Sequence, residues 1–212
     1  MVEAIMRNTL LEETAPVLPV ASFCSDEHAR ACARLFARAG VPVLEVALRH
    51  PGAWEHLAIC RELMPGARVG VGTVRAAGEL ERASRSADFA VSPGLSLELC
   101  RIAADLGVEY VPGVWSASEV MAAASIGLDR LKFFPAVAGS TDVLAALEGP
   151  FPDVRFCPTG GVHSGNYGDY LALANVSCVG GSWVVPSLEE IEARRHVWLE
   201  RLGNLYRLGS AQ

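Results

Sequence analysis

Lysine is almost absent from this chain, because its 18 basic residues comprise one lysine, Lys132, and 17 arginines. Long apolar runs are also missing, and none approaches the roughly 20 residues that a membrane-spanning helix requires. The first residues lack the basic head and apolar stretch of an export signal. The net charge of −6 argues against nucleic acid or an anionic membrane as a partner. We therefore expect a cytoplasmic protein that acts on a small molecule.

Cysteine and histidine show none of the spacings that hold metals. The six cysteines form no C-x-x-C pair, and without an export signal we expect them to be reduced residues of the core. The five histidines are scattered along the chain, so we predict no metal site. The segment G-V-G-T-V-R (70–75) lacks the third glycine of a dinucleotide-binding loop, and we predict no cofactor.

Apolar runs and amphipathic stretches alternate along the whole chain. Eight runs, rich in Val and Phe, end near Gly or Pro and indicate strands: 16–22, 41–48, 67–74, 88–94, 108–114, 130–136, 154–161 and 176–183. Helical patterns separate them, near 25–39, 53–64, 77–86, 96–106, 117–126, 140–148, 164–174 and 187–202. The alternation predicts an α/β fold, a (β/α)8 TIM barrel formed by a single domain over 1–212. A doubly wound open sheet is the alternative.

A short N-terminal helix precedes the first run in this prediction, because Ile5, Met6, Leu10 and Leu11 recur at helical spacing. In barrels of this type the reactive groups lie at the C-terminal ends of the strands and in the loops that follow. Polar residues within the apolar runs are therefore the candidates for a site: Glu45, Arg49, Thr73, Ser92, Lys132, Thr159 and Ser182.

Lys132 is the first of these candidates, since it lies inside L-K-F-F-P (131–135). An amine can attack a carbonyl only when it is uncharged, and apolar surroundings favour the uncharged form because the charged form loses its hydration. Strand alternation places Lys132 on the opposite face from Leu131 and Phe133. If those two face the helices, Lys132 points into the barrel. The alternative is a lysine that extends from a barrel end into water.

Glu45 lies in the apolar run V-L-E-V-A-L, where a carboxylate is costly unless it is paired or used. It is a candidate general acid/base that meets Lys132 across the barrel, or else a structural partner of an arginine. Arg49, just past the same strand, suits bidentate capture of a substrate carboxylate, and Thr73 offers a hydroxyl to the same group. An ordinary surface role is the alternative for Arg49.

Two glycine-rich loops follow the seventh and eighth runs, P-T-G-G (158–161) and G-G-S-W (180–183). Barrels frequently bind phosphate with the loops after these strands, and paired glycines let backbone N–H groups approach an oxyanion. The two loops together predict a phosphate site. Ser92, in A-V-S-P-G, is interpreted as a turn residue, because Ala replaces the first glycine of a nucleophile elbow.

Six segments resemble one enzyme family, in the same order and over nearly the whole chain: G-V-P-V-L-E-V-A-L-R (40–49), V-G-V-G-T-V (69–74), A-V-S-P-G (90–94), L-K-F-F-P-A (131–136), R-F-C-P-T-G-G-V (155–162) and C-V-G-G-S-W-V-V-P (178–186). They resemble the 2-keto-3-deoxy-6-phosphogluconate (KDPG)/4-hydroxy-2-oxoglutarate (KHG) aldolases. The resemblance implies a class I aldolase without metal or cofactor, on a (β/α)8 barrel and usually a homotrimer. It implies cleavage of KDPG, a keto-acid phosphate, to pyruvate and glyceraldehyde 3-phosphate.

The same resemblance assigns roles to individual residues. Lys132 is the Schiff-base lysine and Glu45 the proton-transfer residue. Arg49 and Thr73 hold the carboxylate end, with Pro93 lining the site. Thr159 corresponds to a position that influences stereochemical preference. The residues that resemble the phosphate-binding positions are Gly160, Gly161, Gly181 and Ser182.

The chain departs from the family at Ala47, Trp115, Val137 and His163, where other residues are usual. These differences leave the Schiff-base chemistry intact and bear on which sugar acid is preferred. Alternatives with the same chemistry are aldolases for 2-keto-3-deoxy-6-phosphogalactonate or for 4-hydroxy-2-oxoglutarate. A sugar-phosphate isomerase or epimerase would use Glu45 as a base without covalent chemistry, and a non-catalytic phosphate-binding protein is a further alternative.

Overall fold

The computed structural model describes residues 9–13, 16–138 and 140–209. Its strands are β1 (Val17–Ala21), β2 (Val43–Ala47), β3 (Arg68–Gly72), β4 (Ala90–Val91), β5 (Tyr110–Val111), β6 (Gly113–Val114), β7 (Arg130–Phe133), β8 (Arg155–Pro158) and β9 (Val179–Gly181). Its helices are α1 (Leu10–Glu13), α2 (Asp26–Ala39), α3 (Ala53–Leu63), α4 (Ala77–Ser86), α5 (Leu97–Leu106), α6 (Ala117–Ala124), α7 (Ser140–Glu148), α8 (Tyr167–Leu171) and α9 (Leu188–Gly209), with a 3-10 turn at Ala136–Ala138. Strand and helix alternate as the sequence predicts.

Every paired strand in the described part of the chain runs parallel to its neighbours. One sheet has the order β5-β4-β3-β2-β1-β9 and a second has the order β6-β7-β8. Two isolated parallel bridges, Phe156 with Val176 and Thr159 with Gly180, join β8 and the residue after it to the segment that contains β9. The α/β class with parallel strands is thereby confirmed.

The fifth predicted run forms two short strands instead of one. β5 ends at Val111 and β6 begins at Gly113, with Pro112 between them. Proline has no N–H to donate to a ladder, and the Pro112 carbonyl accepts a hydrogen bond from the Lys132 backbone N–H at 3.0 Å. The chain therefore changes partners at Pro112, from β4 to β7.

Side chains of the strands pack in two layers. Leu44, Val46, Leu131 and Phe133 belong to the large cluster between strands and helices. A smaller cluster occupies the other face of the strands, formed by Leu10, Leu11, Leu18, Val43, Phe89, Val91, Val111, Cys157 and Cys178. Leu131 and Phe133 thus face the helices, and Lys132, with 4% of its surface exposed, lies on the inner side with Cys157 as its strand neighbour.

Helix boundaries follow local capping chemistry. The Ser25 side chain accepts a hydrogen bond from the His28 N–H at the start of α2, which ends at Gly40 with φ of 73°. Ser116 and Glu119 form the predicted capping box of α6. Of the predicted N-terminal helix, Leu10 and Leu11 lie in α1, and Ile5 and Met6 lie outside the described residues.

Two predictions were wrong in detail. α8 covers Tyr167–Leu171 rather than 164–174, and α9 continues past 202 with a kink at Arg194. The prediction that all six cysteines are core residues was also wrong, because Cys24 is exposed in the loop that leaves β1, although the other five are buried and all six are free thiols. No helix within the described ranges is long and apolar enough to cross a bilayer.

Candidate active site

Lys132 and Glu45 meet on the inner side of the strands. Lys132 comes from β7 and Glu45 from β2, and the Lys132 Nζ donates to Glu45 Oε1 at 3.2 Å and to Oε2 at 3.4 Å. The two residues expose 4% and 0% of their surfaces. Taking both groups out of water costs several kcal/mol per charge, which a single contact offsets only in part. The predicted contact between Lys132 and Glu45 is therefore present. Its burial does not by itself add much to the stability of the fold.

The surroundings of this pair are shaped by one glycine and one aromatic ring. A Cβ placed on Gly72, at the end of β3, would lie 1.8 Å from Glu45 Oε1, so only glycine leaves room for the carboxylate. The Lys132 Nζ lies 5.7 Å from the centroid of the Phe134 ring. The ring supplies an apolar wall while its face can still attract a cation.

Arg49 and Thr73, which follow the ends of β2 and β3, contact each other. The Arg49 Nε donates to the Thr73 Oγ1 at 3.3 Å. Thr73 has φ of 66°, which places a β-branched residue in the left-handed region, at a cost on the order of 1–3 kcal/mol. Strain of this kind is typical of positions that a site requires.

A cavity of about 560 Å³ opens at the C-terminal ends of the strands. The predicted site residues that line it are Arg49, Thr159, Gly160, Gly161, Gly181 and Ser182. Gly160 and Gly161 both have positive φ, 87° and 88°, so that this loop adopts a conformation open to few other residues. The two glycine-rich loops therefore face one cavity together with a guanidinium.

Lys132 and Glu45 do not line this cavity themselves. Phe134 lines it, and the centroid of the Phe134 ring is 5.7 Å from the amine, so this side chain lies between the amine and the open space. Thr73 and Pro93 also do not line it. Pro93 is half-buried and packs against Gly113, where a Cβ would lie 2.5 Å from the Pro93 carbonyl carbon. Ser92 donates to the Gly94 carbonyl at 2.8 Å, as a turn residue does.

Two ionisable residues that line the cavity were not among the sequence-based candidates. His28 is buried, lines the cavity, and makes a 2.9 Å hydrogen bond from Nε2 to the Pro186 carbonyl. Glu190 also lines it, and its carboxylate accepts a hydrogen bond from the Ser187 N–H at 2.8 Å. His28 lies on a helix and Glu190 caps one, so neither carries a local sequence signal that distinguishes it from ordinary helical residues.

The candidate residues do not line the other large groove, and the described residues form no cluster of metal-ligand side chains. A groove of about 740 Å³ between α2 and α9 has arginines on its rim and contains none of the candidate residues. Among the residues that the structure describes, no group of three or more His, Cys, Asp or Glu side chains converges as a metal would require.

Comparison with known proteins gives a consistent result. A family model described as "KDPG and KHG aldolase" matches residues 8–197. The KHG/KDPG aldolase of Escherichia coli K12 is 44% identical over 176 residues, 82% of this chain and 83% of that protein. A crystal structure of the KDPG aldolase of Zymomonas mobilis ZM4 with 3-phosphoglycerate superposes with a TM-score of 0.87 at 38% identity, covering 95% of this chain and 97% of that one.

A second solved structure bears on the chemistry. The KDPG aldolase of Legionella pneumophila, described with pyruvate captured as a covalent carbinolamine intermediate, has a TM-score of 0.84 at 39% identity and covers 94% of this chain and 98% of that one. A carbinolamine forms when an amine adds to a ketone.

Proposed function

This chain belongs to the KDPG and KHG aldolase family, and we propose that it is a class I aldolase that cleaves KDPG to pyruvate and glyceraldehyde 3-phosphate through a Schiff base on Lys132. The observation that carries the proposal is the buried contact of 3.2 Å between Lys132 Nζ and Glu45 Oε1. An amine that must lose a proton lies there beside a carboxylate that can accept one.

The reaction assigns a step to each of these groups. The Nζ lone pair adds to the C2 ketone, and Glu45 passes protons as the carbinolamine loses water to give an iminium ion. Glu45, directly or through a water molecule, then takes the proton of the C4 hydroxyl. The C3–C4 bond breaks, its electrons form an enamine, and the aldehyde leaves. Protonation at C3 and hydrolysis of the imine release pyruvate and restore the amine.

Residues that line the cavity or lie beside it orient the substrate in this proposal. The Arg49 guanidinium, held by Thr73, binds the carboxylate next to the ketone, and Pro93 supports that end of the site. Thr159, which lines the cavity and is 6% exposed, faces the C4 hydroxyl in this proposal. The N–H groups of the two loops that contain Gly160, Gly161, Gly181 and Ser182 bind the phosphate. In this arrangement the C2 carbonyl lies between the two groups of the substrate that are held, the carboxylate and the phosphate.

Trapping of the Schiff base tests the proposal. Sodium borohydride added with pyruvate reduces the imine and should attach one pyruvate-derived group to Lys132, located by peptide mapping. Because the chain has one lysine, only the N-terminal amine needs to be distinguished from it. Lys132→Arg is the matched control, which should give neither adduct nor aldolase activity. Full activity of Lys132→Arg would favour an isomerase or epimerase that uses Glu45 alone.

A second substrate is suggested by the name of the E. coli relative, which pairs KHG with KDPG. 4-Hydroxy-2-oxoglutarate is one carbon shorter and ends in a carboxylate at C5, whereas KDPG carries a phosphate at C6. The values of kcat/KM for KDPG, its galactonate epimer and 4-hydroxy-2-oxoglutarate, measured by coupled detection of pyruvate, identify the preferred acid. A preference of the enzyme for 4-hydroxy-2-oxoglutarate would contradict the phosphate site.

We also propose that the strands close into one (β/α)8 barrel that forms a single domain over residues 1–212, and that the protein is a cytoplasmic homotrimer. The bridge between Thr159 and Gly180 supports closure at one edge of the two sheets. The continuous chain through Pro112 supports it at the other. Exposed apolar side chains, including Trp115, Met121 and Val137, support a subunit interface. Sedimentation equilibrium should give three times the 22.5 kDa chain mass.

A further inference from the structure

We propose that Cys24 and His28 form a thiol-modification site that reacts with low-molecular-weight disulfides, and that modification acts on the neighbouring cavity through His28 and Pro186. Cys24 is exposed in the loop between β1 and α2. Its Sγ lies 3.4 Å from the Nδ1 of His28, one helical turn further along the chain. The imidazole of His28 therefore lies between the Cys24 thiol and the backbone carbonyl of Pro186.

The Pro186 carbonyl determines which nitrogen of His28 carries the proton. A carbonyl oxygen only accepts hydrogen bonds, so the Nε2 that lies 2.9 Å from it must be the donor. In the neutral ring the proton is then on Nε2, and Nδ1 presents its lone pair to the Cys24 thiol. Because His28 is 8% exposed and fixed at both ring nitrogens, this orientation is held before any reagent arrives. A nucleophile, a base and a group that orients the base are the components of an activated thiol.

Charges at the start of α2 act in both directions on this thiol. Cys24 precedes the N-cap residue Ser25 of a 14-residue helix, whose N-terminal end favours an anion. Asp26 and Glu27 in the first turn oppose a second negative charge, although the Asp26 carboxylate is turned toward His56, 3.3 Å from its Nε2. The proton acceptor at His28, rather than the helix end, is what distinguishes Cys24.

The other five cysteines supply an internal reference, because all are buried. Burial raises the pKa of Cys60 to about 12 and that of Cys100 to about 11, and it also raises the pKa of Cys32. Reagents that require a thiolate therefore have one accessible target in the folded chain.

The modification connects to the proposed active site through two shared residues. His28 and Pro186 both line the 560 Å³ cavity, which the Gly181–Ser182 loop also faces. The Pro186 carbonyl, held by His28, lies in the segment that runs from this loop into α9. A bulky group on Cys24 presses on His28 and narrows the end of the cavity that is proposed to bind phosphate.

The reaction is an ordinary thiol–disulfide exchange. His28 Nδ1 takes the thiol proton, the Cys24 sulfur attacks one sulfur of the disulfide, and the S–S bond breaks. The departing thiolate takes the proton from His28. Cys24 is oxidised to a mixed disulfide and the reagent is reduced to one thiol, which a dithiol such as dithiothreitol reverses.

Labelling rates test the site without any assumption about activity. Oxidised glutathione at neutral pH should add one glutathionyl group per folded chain, at Cys24, and at least about tenfold faster than at Cys24 in the urea-unfolded chain. His28→Gln, which keeps a donor for the Pro186 carbonyl, should slow the reaction by a similar factor. Equal rates at Cys24 in folded and unfolded chains, or labelling of a buried cysteine instead, would overturn the proposal.

An activity measurement tests the link to the cavity, and this part rests on the proposed aldolase function. The glutathionylated enzyme should show a KM for KDPG raised about tenfold, with a smaller change in kcat, and dithiothreitol should restore it. Cys24→Ala treated in the same way should be unaffected. An unchanged KM in fully modified enzyme refutes the link. If the untreated enzyme releases no pyruvate, the aldolase proposal fails, and the labelling rates alone decide the modification site.

Discussion

Gly72→Ala is the substitution that tests the active-site geometry without touching a reacting group. The new Cβ would lie 1.8 Å from Glu45 Oε1 and 2.5 Å from its Cδ. Non-bonded heavy atoms require roughly 3.5 Å, so the carboxylate must retreat by roughly 1.7 Å or the strands must separate. The retreat lengthens contacts with Lys132 Nζ that are now 3.2 and 3.4 Å. A displacement of about 1 Å can cost about 100-fold in rate, and overpacking costs about 1–3 kcal/mol in stability.

The assay is release of pyruvate from KDPG, coupled to lactate dehydrogenase, together with borohydride trapping of the pyruvate adduct. We expect kcat/KM of Gly72→Ala to fall at least about 100-fold while the folded protein persists in circular dichroism. Gly78→Ala is the matched control, because no atom lies within 4 Å of the added Cβ on α4. It should keep full activity and gain about 0.5–1 kcal/mol of stability. A folded Gly72→Ala enzyme with the activity of the wild type would show that Glu45 does not need its observed position.

Three further predictions concern charge. Arg49→Gln should raise KM for KDPG about tenfold or more, measured in the same assay, because the proposed charged donor to the substrate carboxylate is lost. Burial opposes ionisation of Glu119, but hydrogen bonds from Ser116 and the neighbouring backbone hold its pKa below the usual range. The ionised Glu119 carboxylate therefore stabilises the protein at pH values above its unfolded pKa, and this contribution is lost as the pH falls through its folded pKa. The decrease in Tm caused by Glu119→Ala should accordingly be smaller at about pH 3 than at about pH 7. In urea unfolding, Glu45→Leu should cost about 3–5 kcal/mol, whereas Glu45→Leu with Lys132→Met should be near neutral or stabilising, and both should be inactive.

Much of the fold follows from the sequence because each strand is a run of apolar residues bounded by turn residues. One error occurs where a side chain replaces a regular backbone hydrogen bond. The predicted helix at 164–174 begins only at Tyr167, because the Asn166 Oδ1 accepts from the His163 N–H and its Nδ2 donates to the Gly161 carbonyl. Asparagine competes with the helix for backbone partners in this way. Which bonds an individual Asn makes depends on the tertiary fold and is not encoded in local periodicity.

For the site, the sequence predicts those residues whose burial is costly and whose neighbours in the sequence already indicate that burial. The glutamate in V-L-E-V-A-L and the lysine in L-K-F-F are each a charged residue within an apolar run. The structure brings the two into contact, and their catalytic roles remain predictions. Gly72 has no such signal, since only the approach of Glu45 gives it a function. The contact between His28 and Pro186 joins residues 158 positions apart, and no pattern along one helix reveals it.

The choice of lysine over arginine at position 132 bears directly on function. Arginine would pair with Glu45 through two parallel hydrogen bonds, is less strongly hydrated, and is used at all 17 other basic positions. A requirement for charge pairing alone would therefore favour arginine here as well. What lysine offers, and arginine does not, is a nitrogen that can release its proton and then form a bond to carbon. Since the buried pair adds little net stability, the property that explains a lysine at this position is the nucleophilicity that the proposed Schiff base requires.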